Sequence, residues 1–369
     1  MQVICHACGT NKSFDAYEYA CACGRPWEPV EREDFNPERI HRREPTLWRY
    51  EEFFAQEGVS QLFSLGAGWT PLIQSDFAGS RIWFKLELLS ITGSFKDRGT
   101  EVEMNFLKSS GVQEVVEDSS GNAGASMAAY AARAGIRAII YAPQNASPAK
   151  LSQISIYGAD LRKIPGARIE STKAALKAAA DGAVYASHAY SPVYLLGQQS
   201  IAWELWEQFG GDAPDALIIP TGQGGLLMGA WLGFRRLKNA GLIKYIPRLY
   251  AAQPEILAPI HHALTQGLDD IPEALPTKNS VAEGLAIVKP VRSKRLLQTL
   301  RESGGGAVTV TENEIMHAYR QLAQQGIFVE PTSAVAAAAI PKTRYLLGNN
   351  SRIVVILTGS GFKSLIKNT

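Results

Sequence analysis

Lys96 is the residue of this sequence whose side chain and position best suit covalent chemistry. It follows the turn-like segment 92–95 (TGSF) and lies in the first turn of the helix predicted to begin there. The positive end of a helix dipole favours the neutral form of a nearby amine, and a neutral amine can attack a carbonyl carbon. The alternative is an ordinary exposed lysine beside Asp97 and Arg98.

Two further segments place small and polar residues directly after predicted buried strands, where α/β proteins bind ligands. The first is 119–126 (SSGNAGAS), in which the Asn122 side chain can donate or accept a hydrogen bond. The second is 220–227 (PTGQGGLL), whose glycines can turn several amides toward one anion at a helix N-terminus. Its spacing is neither a P-loop nor a dinucleotide fingerprint, which favours a single phosphate. Taken alone, the first segment indicates only a capped helix and the second only a glycine-rich loop.

Together, a lysine that can form an imine, an amide side chain and a phosphate-binding loop meet the needs of pyridoxal 5′-phosphate (PLP). The lysine would hold the aldehyde of PLP, and the loop amides would hold its phosphate. Thr358, directly after the apolar run 353–357 (IVVIL), supplies a neutral hydroxyl that can face the pyridine nitrogen. The sequence therefore predicts a PLP enzyme.

All four cysteines of the chain lie within its first 23 residues, as Cys5, Cys8, Cys21 and Cys23. Their pattern, C-x2-C-x12-C-x-C with a glycine after each pair, can close a tetrahedral site around zinc. Clustered thiols in a cytoplasmic protein are more often metal ligands than disulfides. The alternatives are a reduced cluster without metal, and disulfides that form on oxidation. The neighbouring His6 is expected to be a surface residue and not a ligand.

The composition excludes several classes of function. Of the 369 residues, 46% are hydrophobic and 20% are charged, which is typical of a globular protein of two or three domains. A net charge of +2 without a dense basic run argues against nucleic acid as the main partner. No apolar run reaches the roughly 18 residues of a membrane span, and residues 1–6 lack the features of a secretion signal. We therefore expect a cytoplasmic protein without a membrane partner.

The alternation of strands and helices along the chain predicts the α/β class with parallel sheets. Apolar runs predict strands at 81–86, 137–141, 217–220 and 353–357. Residues 122–134 predict a helix that Gly135 ends. Residues 30–60, which are rich in charge and aromatic side chains, predict a connecting arm.

Five motifs, in this order, resemble those of the fold-type II PLP enzymes, the group of threonine synthase, threonine dehydratase and the tryptophan synthase β chain. They are TGSFKDRG (92–99), SSGNAGAS (119–126), TGQGGLL (221–227), EPTSA (330–334) and LTGSG (357–361). The resemblance covers residues 66–363. Within the group, this sequence is most similar to threonine synthase and its close relatives. The similarity lies in the motif SFKDRG, the segment 68–72 (GWTPL) and the cysteine segment.

The resemblance implies an architecture similar to the tryptophan synthase β chain, with two three-layer α/β domains and a small N-terminal segment similar to a zinc ribbon. The implied parts are a cysteine segment (1–30), an arm with the start of the large domain (31–80), a small α/β domain (81–194) and the large PLP-binding domain (195–369). Members of the group hold PLP between two domains, and a homodimer is implied.

The resemblance also implies a role for each matching residue. Lys96 would hold the aldehyde of PLP and move the α- and β-protons of a small amino-acid substrate. Phe95 would pack against the cofactor and Asn122 would bind its phenolic oxygen. The full set of implied cofactor-binding residues is Phe95, Asn122, Gly222, Gln223, Gly224, Gly225, Leu226 and Thr358. The implied substrate-binding residues are Thr92, Ser94, Ser119, Ser120 and Ala123.

Two positions depart from the threonine synthase pattern, both at the substrate end. Tyr194 stands where these enzymes carry the arginine that binds the substrate phosphate, and a tyrosine lacks the charge to pair with a phosphate dianion. Ser360 stands where a histidine is expected after the first glycine of the terminal motif. His188 or Lys85 can compensate if it faces the substrate, and the alternative for each is a surface position.

Three functions are compatible with these residues. The first is a threonine-synthase-like lyase that converts O-phosphohomoserine and water to threonine and phosphate. The second, which Tyr194 favours, is a β-elimination or β-replacement enzyme acting on another amino acid, such as a threonine or serine dehydratase, an ammonia-lyase or a cysteate-synthase-like enzyme. The third is a non-catalytic relative whose cysteine segment binds a protein, and the complete set of cofactor residues argues against it.

Overall fold

The computed structural model describes residues 1–274 and 278–363, which form two compact units. Unit 1 comprises Met1–Glu31, Asn36–Trp69 and Ser90–Ser200. Unit 2 comprises Arg32–Phe35, Thr70–Leu89 and the described chain from Ile201 onward. Each unit is therefore assembled from segments that are distant in the sequence.

The strands are short and most of them are buried. In chain order they are β1 (Gln2–Ile4), β2 (Asn11–Ser13), β3 (Glu28–Pro29), β4 (Leu72–Phe77), β5 (Ser80–Lys85), β6 (Glu114–Glu117), β7 (Arg137–Pro143), β8 (Asp160–Ile164), β9 (Val184–Tyr185), β10 (Ala216–Pro220), β11 (Arg248–Pro254), β12 (Gly306–Val310) and β13 (Ile353–Ile356).

The helices lie between these strands, as expected for the α/β class. They are α1 (Glu51–Ala55), α2 (Lys96–Ser109), α3 (Asn122–Ala134), α4 (Pro148–Ile156), α5 (Arg168–Ala180), α6 (Pro192–Gln198), α7 (Ser200–Gln208), α8 (Gly225–Asn239), α9 (Pro259–Thr265), α10 (Ser293–Glu302), α11 (Glu312–Gln324), α12 (Pro331–Ala338) and α13 (Ile340–Leu347). Over the described residues, no helix has both the length and the apolar character needed to cross a bilayer.

Unit 1 contains two sheets. The cysteine segment forms an antiparallel sheet in the order β2-β1-β3. The second sheet is parallel, in the order β8-β7-β6-β9, with α3 and α5 packed on β7. The continuous apolar sequence of β7 fits this arrangement, because a parallel strand covered by helices is buried on both faces.

The segment predicted as a connecting arm is folded onto α2 of unit 1 over much of its length. Glu101 on α2 accepts hydrogen bonds of 2.5 Å from both Trp48 Nε1 and Ser64 Oγ. Asn105, one turn further along α2, accepts a 2.7 Å hydrogen bond from the Leu62 amide. Both α2 side chains are buried, so they attach residues 48 and 62–64 to the interior of unit 1.

Unit 2 is built on one six-stranded sheet in the order β12-β11-β10-β13-β5-β4. All neighbouring strands are parallel except β4, which pairs antiparallel with β5. Ala78 and Gly79 connect these two strands with φ values of 51° and 73°, as a tight hairpin turn with a right-handed strand twist requires.

The observed units differ from the domains expected from the sequence in the unit to which β5 belongs. The expected small domain begins at residue 81, within β5, but β5 pairs with β13 and β4 in the sheet of unit 2. Unit 1 resumes at Ser90 and continues to Ser200. The partners of β5 determine its unit, because the backbone groups of a buried strand need hydrogen bonds within a sheet.

Lys85, at the end of β5, is neither a surface residue nor free to face a substrate. Its Nζ lies 2.8 Å from Glu204 Oε2 and donates a 2.7 Å hydrogen bond to the Thr70 carbonyl. The side chains of Lys85 and Glu204 are both fully buried. This pair therefore belongs to the interior of unit 2, and Lys85 does not take the place of the missing arginine.

Removing one partner of this pair should destabilise the protein strongly. We expect Glu204→Gln to lower the free energy of unfolding by about 3–5 kcal/mol, because it removes the buried carboxylate that pairs with the Lys85 ammonium. Urea unfolding measures the change. The control is Arg81→Ala, which removes an exposed pair with Asp76 and should cost less than about 1 kcal/mol. Equal stability of Glu204→Gln and the parent protein would contradict a structural role for the pair.

Candidate active site

Lys96 is the first residue of α2, as the sequence predicted. The preceding turn is closed by a 2.8 Å hydrogen bond from the Gly93 amide to the Ser90 carbonyl, with Gly93 at φ 79°. The Lys96 Nζ lies 5.0 Å from the centre of the Phe95 ring and 5.9 Å from the centre of the Tyr194 ring. The amine thus lies at a helix N-terminus, whose dipole favours its neutral form, and near two aromatic rings, which attract its protonated form.

Asp97 fixes the turn that carries Lys96, a role that was not predicted from the sequence. Its Oδ2 accepts a 2.8 Å hydrogen bond from the Thr92 amide, and its Oδ1 accepts one of 2.5 Å from the Thr92 hydroxyl. Oδ1 also accepts a 2.7 Å hydrogen bond from Ser126 on α3. Because Asp97 is fully buried, these contacts tie the turn before α2 to α3. The sequence signal for this role was the acidic residue directly after Lys96 in the motif SFKDRG.

The segment 119–126 forms the connection from β6 to α3, and Asn122 is the first residue of that helix. A Cβ atom on Gly124 would lie 1.9 Å from the Ser119 carbonyl oxygen, so only glycine fits there. Ser119 and Ala123 are buried, and Ser120 is half-buried. The predicted substrate residues of this segment therefore lie together at the N-terminus of α3.

Ser94 is a further predicted substrate residue, and its hydroxyl is buried. Its side chain is fully buried, and among the described residues its Oγ makes no hydrogen bond. A buried hydroxyl without a partner is uncommon in a folded protein. It suits a residue that binds a ligand, and the neighbouring Thr92 is held by Asp97 as described above.

Tyr194, on α6, is buried and does not present its side chain to solvent. A Cβ atom on Gly99 would lie 2.5 Å from its ring, so the tyrosine packs directly on the backbone of α2. Burial raises the pKa of Tyr194 well above its usual value, and the nearby carboxylates of Glu103, Glu117 and Asp97 raise it further. The group that replaces the expected arginine is therefore a neutral phenol within the interior of unit 1.

The glycine-rich loop of unit 2 joins β10 to α8, and the helix begins at Gly225. Gly224 has φ 83°, and a Cβ atom there would also lie 2.8 Å from the Leu296 side chain. Gln223 is fixed by its side chain, whose Oε1 accepts a 3.1 Å hydrogen bond from the Val291 amide. The loop therefore places closely spaced backbone amides at the N-terminus of a fifteen-residue helix, where an anion is favoured.

Thr358 follows β13 in unit 2 and is almost fully buried. Its Oγ1 lies 3.1 Å from Ser333 Oγ on α12, which also accepts a 2.8 Å hydrogen bond from the Gly359 amide. A Cβ atom on Gly359 would lie 2.3 Å from Glu330 Oε1, so a larger residue there would displace the Glu330 side chain. Ser333 thus orients Thr358, and Glu330 lies against the turn that follows it; neither role was predicted from the sequence.

The residues of each unit fit the part of PLP that they would bind. In unit 1 the Lys96 amine and the Asn122 amide lie at the N-termini of two helices that Asp97 and Ser126 tie together. In unit 2 the close surroundings of Gly222 and Gly224 leave little space for a Cβ atom, and glycine there allows a phosphate to approach the backbone. A neutral hydroxyl at Thr358 completes the set.

The four cysteines form one cluster in the antiparallel sheet region of unit 1. Their Sγ atoms lie within 4.8 Å of one another, with Cys5 and Cys23 3.4 Å apart and Cys8 and Cys21 3.5 Å apart. In a tetrahedral zinc site, with Zn–S distances of about 2.3 Å, the sulfurs are about 3.8 Å apart. All four are free thiols, so the cluster can hold a metal ion.

Comparison with known proteins shows the family of this chain. A family model described as pyridoxal-phosphate dependent enzyme matches residues 63–359. The threonine synthase of Methanocaldococcus jannaschii is 32% identical over 97% of this chain and 92% of its own length, and that of Methanosarcina acetivorans is 30% identical over 96% and 90%. Among solved structures, the T.th. threonine deaminase is 26% identical, with a TM-score of 0.70 over 81% of this chain and 94% of that one.

This chain therefore belongs to the family of pyridoxal-phosphate-dependent enzymes. Within that family it is threonine-synthase-like, which confirms the predicted resemblance and the enzyme class, a PLP-dependent lyase. The predicted fold-type II α/β architecture is confirmed as well. The roles of the individual site residues stay predictions.

The buried carboxylate of Glu103 should give folding a distinct pH dependence. Burial raises the pKa of Glu103 to about 8, and the negative charge of Glu117 contributes to the rise. Between pH 4.5 and 8 the unfolded chain releases this proton while the folded chain keeps it. The folded state therefore loses stability as pH rises through this range.

We expect Glu103→Gln, which cannot ionise, to weaken this loss of stability between pH 5 and pH 7. Urea unfolding at both values measures it. The control is Glu170→Gln, which replaces an exposed carboxylate of the same unit and should leave the pH dependence unchanged. The same pH dependence in Glu103→Gln and the parent protein would contradict the raised pKa of Glu103.

Proposed function

We propose that this protein is a PLP-dependent carbon–oxygen lyase that converts O-phosphohomoserine and water to threonine and phosphate. The relatives named threonine synthase, at 30–32% identity over nearly the whole chain, support the reaction. The observation that carries the proposal is Lys96 at the start of α2, directly after a turn that the buried Asp97 holds through Thr92. We also propose a homodimer and a cytoplasmic location, which stay predictions.

In this reaction the cofactor would supply an electron sink for the substrate, and the chain would hold both in place. Lys96 would bind the aldehyde and carry the protons that leave and return at Cα and Cβ. Asn122 would contact the phenolic oxygen, and the amides of residues 222–226 would bind the phosphate. Thr358 would face the ring nitrogen with a hydroxyl instead of a carboxylate, which leaves that nitrogen largely unprotonated and weakens the electron sink.

The substrate residues would act on the amino-acid carboxylate. Ser119, Ser120 and Ala123 lie at the N-terminus of α3, where the helix dipole and the serine hydroxyls favour a negative charge. Ser94 would add its buried hydroxyl, and Thr92 would assist at the same turn. These groups orient the α-carbon so that Lys96 can reach its proton.

A second candidate is β-elimination or β-replacement on a serine- or threonine-type amino acid, and Tyr194 favours it. A buried neutral phenol stands where threonine synthases carry the arginine for the substrate phosphate. A β-hydroxyl leaving group needs no such cation. The two candidates share Lys96 and the cofactor residues. They differ in the group that leaves and in the carbon, Cγ or Cβ, from which it departs.

Turnover of several amino acids by the purified protein with PLP tests the proposal. With O-phosphohomoserine we expect threonine and phosphate in equal amounts, and Lys96→Ala should reduce the rate roughly 10²–10⁴-fold, because it removes the proton carrier. Phosphate release no faster than in Lys96→Ala would overturn the proposal. Formation of a 2-oxo acid from serine or threonine, or replacement on O-phosphoserine, would establish the second candidate instead.

We further propose that Cys5, Cys8, Cys21 and Cys23 bind one structural zinc ion per chain. The purified protein should contain one equivalent of zinc, and Cys8→Ser should lose most of it, because three thiolates bind the ion more weakly. Elemental analysis measures the content. His6→Gln is the matched control, since His6 is paired with Glu28 and lies outside the cluster. A zinc content unchanged in Cys8→Ser, or lost in His6→Gln, would contradict this ligand set.

A further inference from the structure

Glu117 carries a fully buried carboxylate at the C-terminal end of β6, two residues before the segment that contains Asn122. Its Oε2 accepts a 3.1 Å hydrogen bond from the amide of His188, and its Oε1 lies 3.1 Å from His188 Nδ1. The same residue thus contacts both carboxylate oxygens, through its backbone and through its ring. This two-point contact fixes the orientation of the Glu117 carboxylate.

A continuous set of contacts within unit 1 leads from this pair to Lys96. The rings of His188 and Tyr194 meet edge to face, with centres 6.2 Å apart. The Lys96 Nζ is also a neighbour of the Tyr194 ring, 5.9 Å from its centre. Tyr194 therefore lies beside both the histidine and the lysine.

Glu117 and Lys96 also interact through their charges. Burial raises the pKa of Glu117 to about 7, while the His188 amide and the positive charge of Lys96 lower it. By reciprocity, an ionised Glu117 stabilises the protonated form of the lysine. The other titratable or charged groups that interact with Glu117 come from α2, α5, α6, β9 and the start of the next loop, and are Glu103, Arg168, Tyr194, Tyr185 and Asp118.

Packing alone does not account for a carboxylate in this place. A buried carboxylate costs several kcal/mol unless it is paired and hydrogen-bonded, and a glutamine would accept the same amide hydrogen bond without that cost. The feature that a glutamine lacks is the negative charge. The charge of Glu117 interacts with that of Lys96, whose amine must alternate between its neutral and its protonated form during proton transfer.

We propose that Glu117, oriented by His188, is a positioning residue whose carboxylate stabilises the protonated amine of Lys96 after it takes a proton from the substrate. The proton passes from the substrate carbon to the Lys96 Nζ, and the electron pair of the broken C–H bond stays with the substrate carbon. Glu117 neither gains nor loses a proton in this step. The inference rests on the proposed role of Lys96 as proton carrier.

The test follows the pH at which Lys96 changes its protonation in the full-length protein. In the PLP-loaded protein, the readout is the pH midpoint of the change in visible absorbance of the lysine-bound cofactor. In the protein without PLP, it is the pH midpoint of Lys96 acylation, measured by mass spectrometry. We expect Glu117→Gln to lower both midpoints by about one pH unit, because it removes a negative charge near the amine.

Two further variants make the result specific. His188→Gln should lower the midpoints by less, because the backbone amide of residue 188 still donates to Glu117 while the ring contact is lost. Glu114→Gln is the control, since it changes an exposed carboxylate on the same strand that pairs with Arg137. It should leave both midpoints unchanged. In turnover, Glu117→Gln should lower kcat with little change in KM and shift the pH profile in the same direction.

The outcomes separate this proposal from the proposed function. If the folded Glu117→Gln protein has the midpoints of the parent, the positioning role is overturned even when PLP binds and turnover occurs. If PLP does not bind at Lys96, the proposed function fails, while acylation of Lys96 still reports the effect of Glu117. If Glu117→Gln does not fold, Glu117→Asp keeps the charge and should retain the parent midpoints. In that case, a shift of the midpoints in Glu117→Asp as large as the shift in His188→Gln would contradict the proposal.

Discussion

The arrangement of the catalytic part of unit 1 depends on one buried carboxylate, that of Asp97. It accepts hydrogen bonds from the amide and hydroxyl of Thr92 and from the hydroxyl of Ser126. The first two contacts close the turn that ends at Lys96, and the third fixes this turn to α3, the helix that begins with Asn122. Since hydrogen bonds to an ionised acceptor are stronger than neutral ones, a single side chain can hold a turn and a helix together.

Features determined by neighbouring residues were predicted well from the sequence, and contacts between distant residues were not. The helix α3 has the predicted bounds 122–134 and ends at Gly135 with φ 70°, because local periodicity and a turn that only glycine adopts readily determine it. By contrast, Glu117 and His188 are separated by 71 positions, and Lys85 and Glu204 by 119. Nothing in the sequence next to Glu117 or Lys85 distinguishes a buried charge from an exposed one, because the partner that makes burial possible comes from another part of the fold. The place of β5 in unit 2 was missed for the same reason, since its partner β13 is distant in the sequence.

The close approach of α2 and α6 limits which side chains fit at position 194, where the resemblance led us to expect an arginine. A Cβ atom on Gly197 would lie 2.2 Å from the Arg98 carbonyl oxygen, and one on Gly99 would lie 2.5 Å from the Tyr194 ring. At so close a distance, an arginine in place of Tyr194 would have to bury its charge or displace the helix. A phenol fills the space without a charge, but it lacks the direct attraction for an anion that an arginine has. The identity of residue 194 is thus coupled to the packing of the helix that carries Lys96.

The cysteine segment belongs to the same packing and is not an independent appendage. Its Tyr19 ring contacts Tyr185 and Tyr190, each with ring centres 5.3 Å apart, and its Phe14 ring lies 5.8 Å from Phe106 on α2. Tyr185 and Tyr190 flank His188 in the sequence, so the aromatic contacts of the cysteine segment support the loop from which His188 reaches Glu117. A segment of about thirty residues has too small an apolar interior to fold firmly by itself, and a bound metal would supply the missing stability. The aromatic side chains of the cysteine segment thus pack against the part of unit 1 that carries His188.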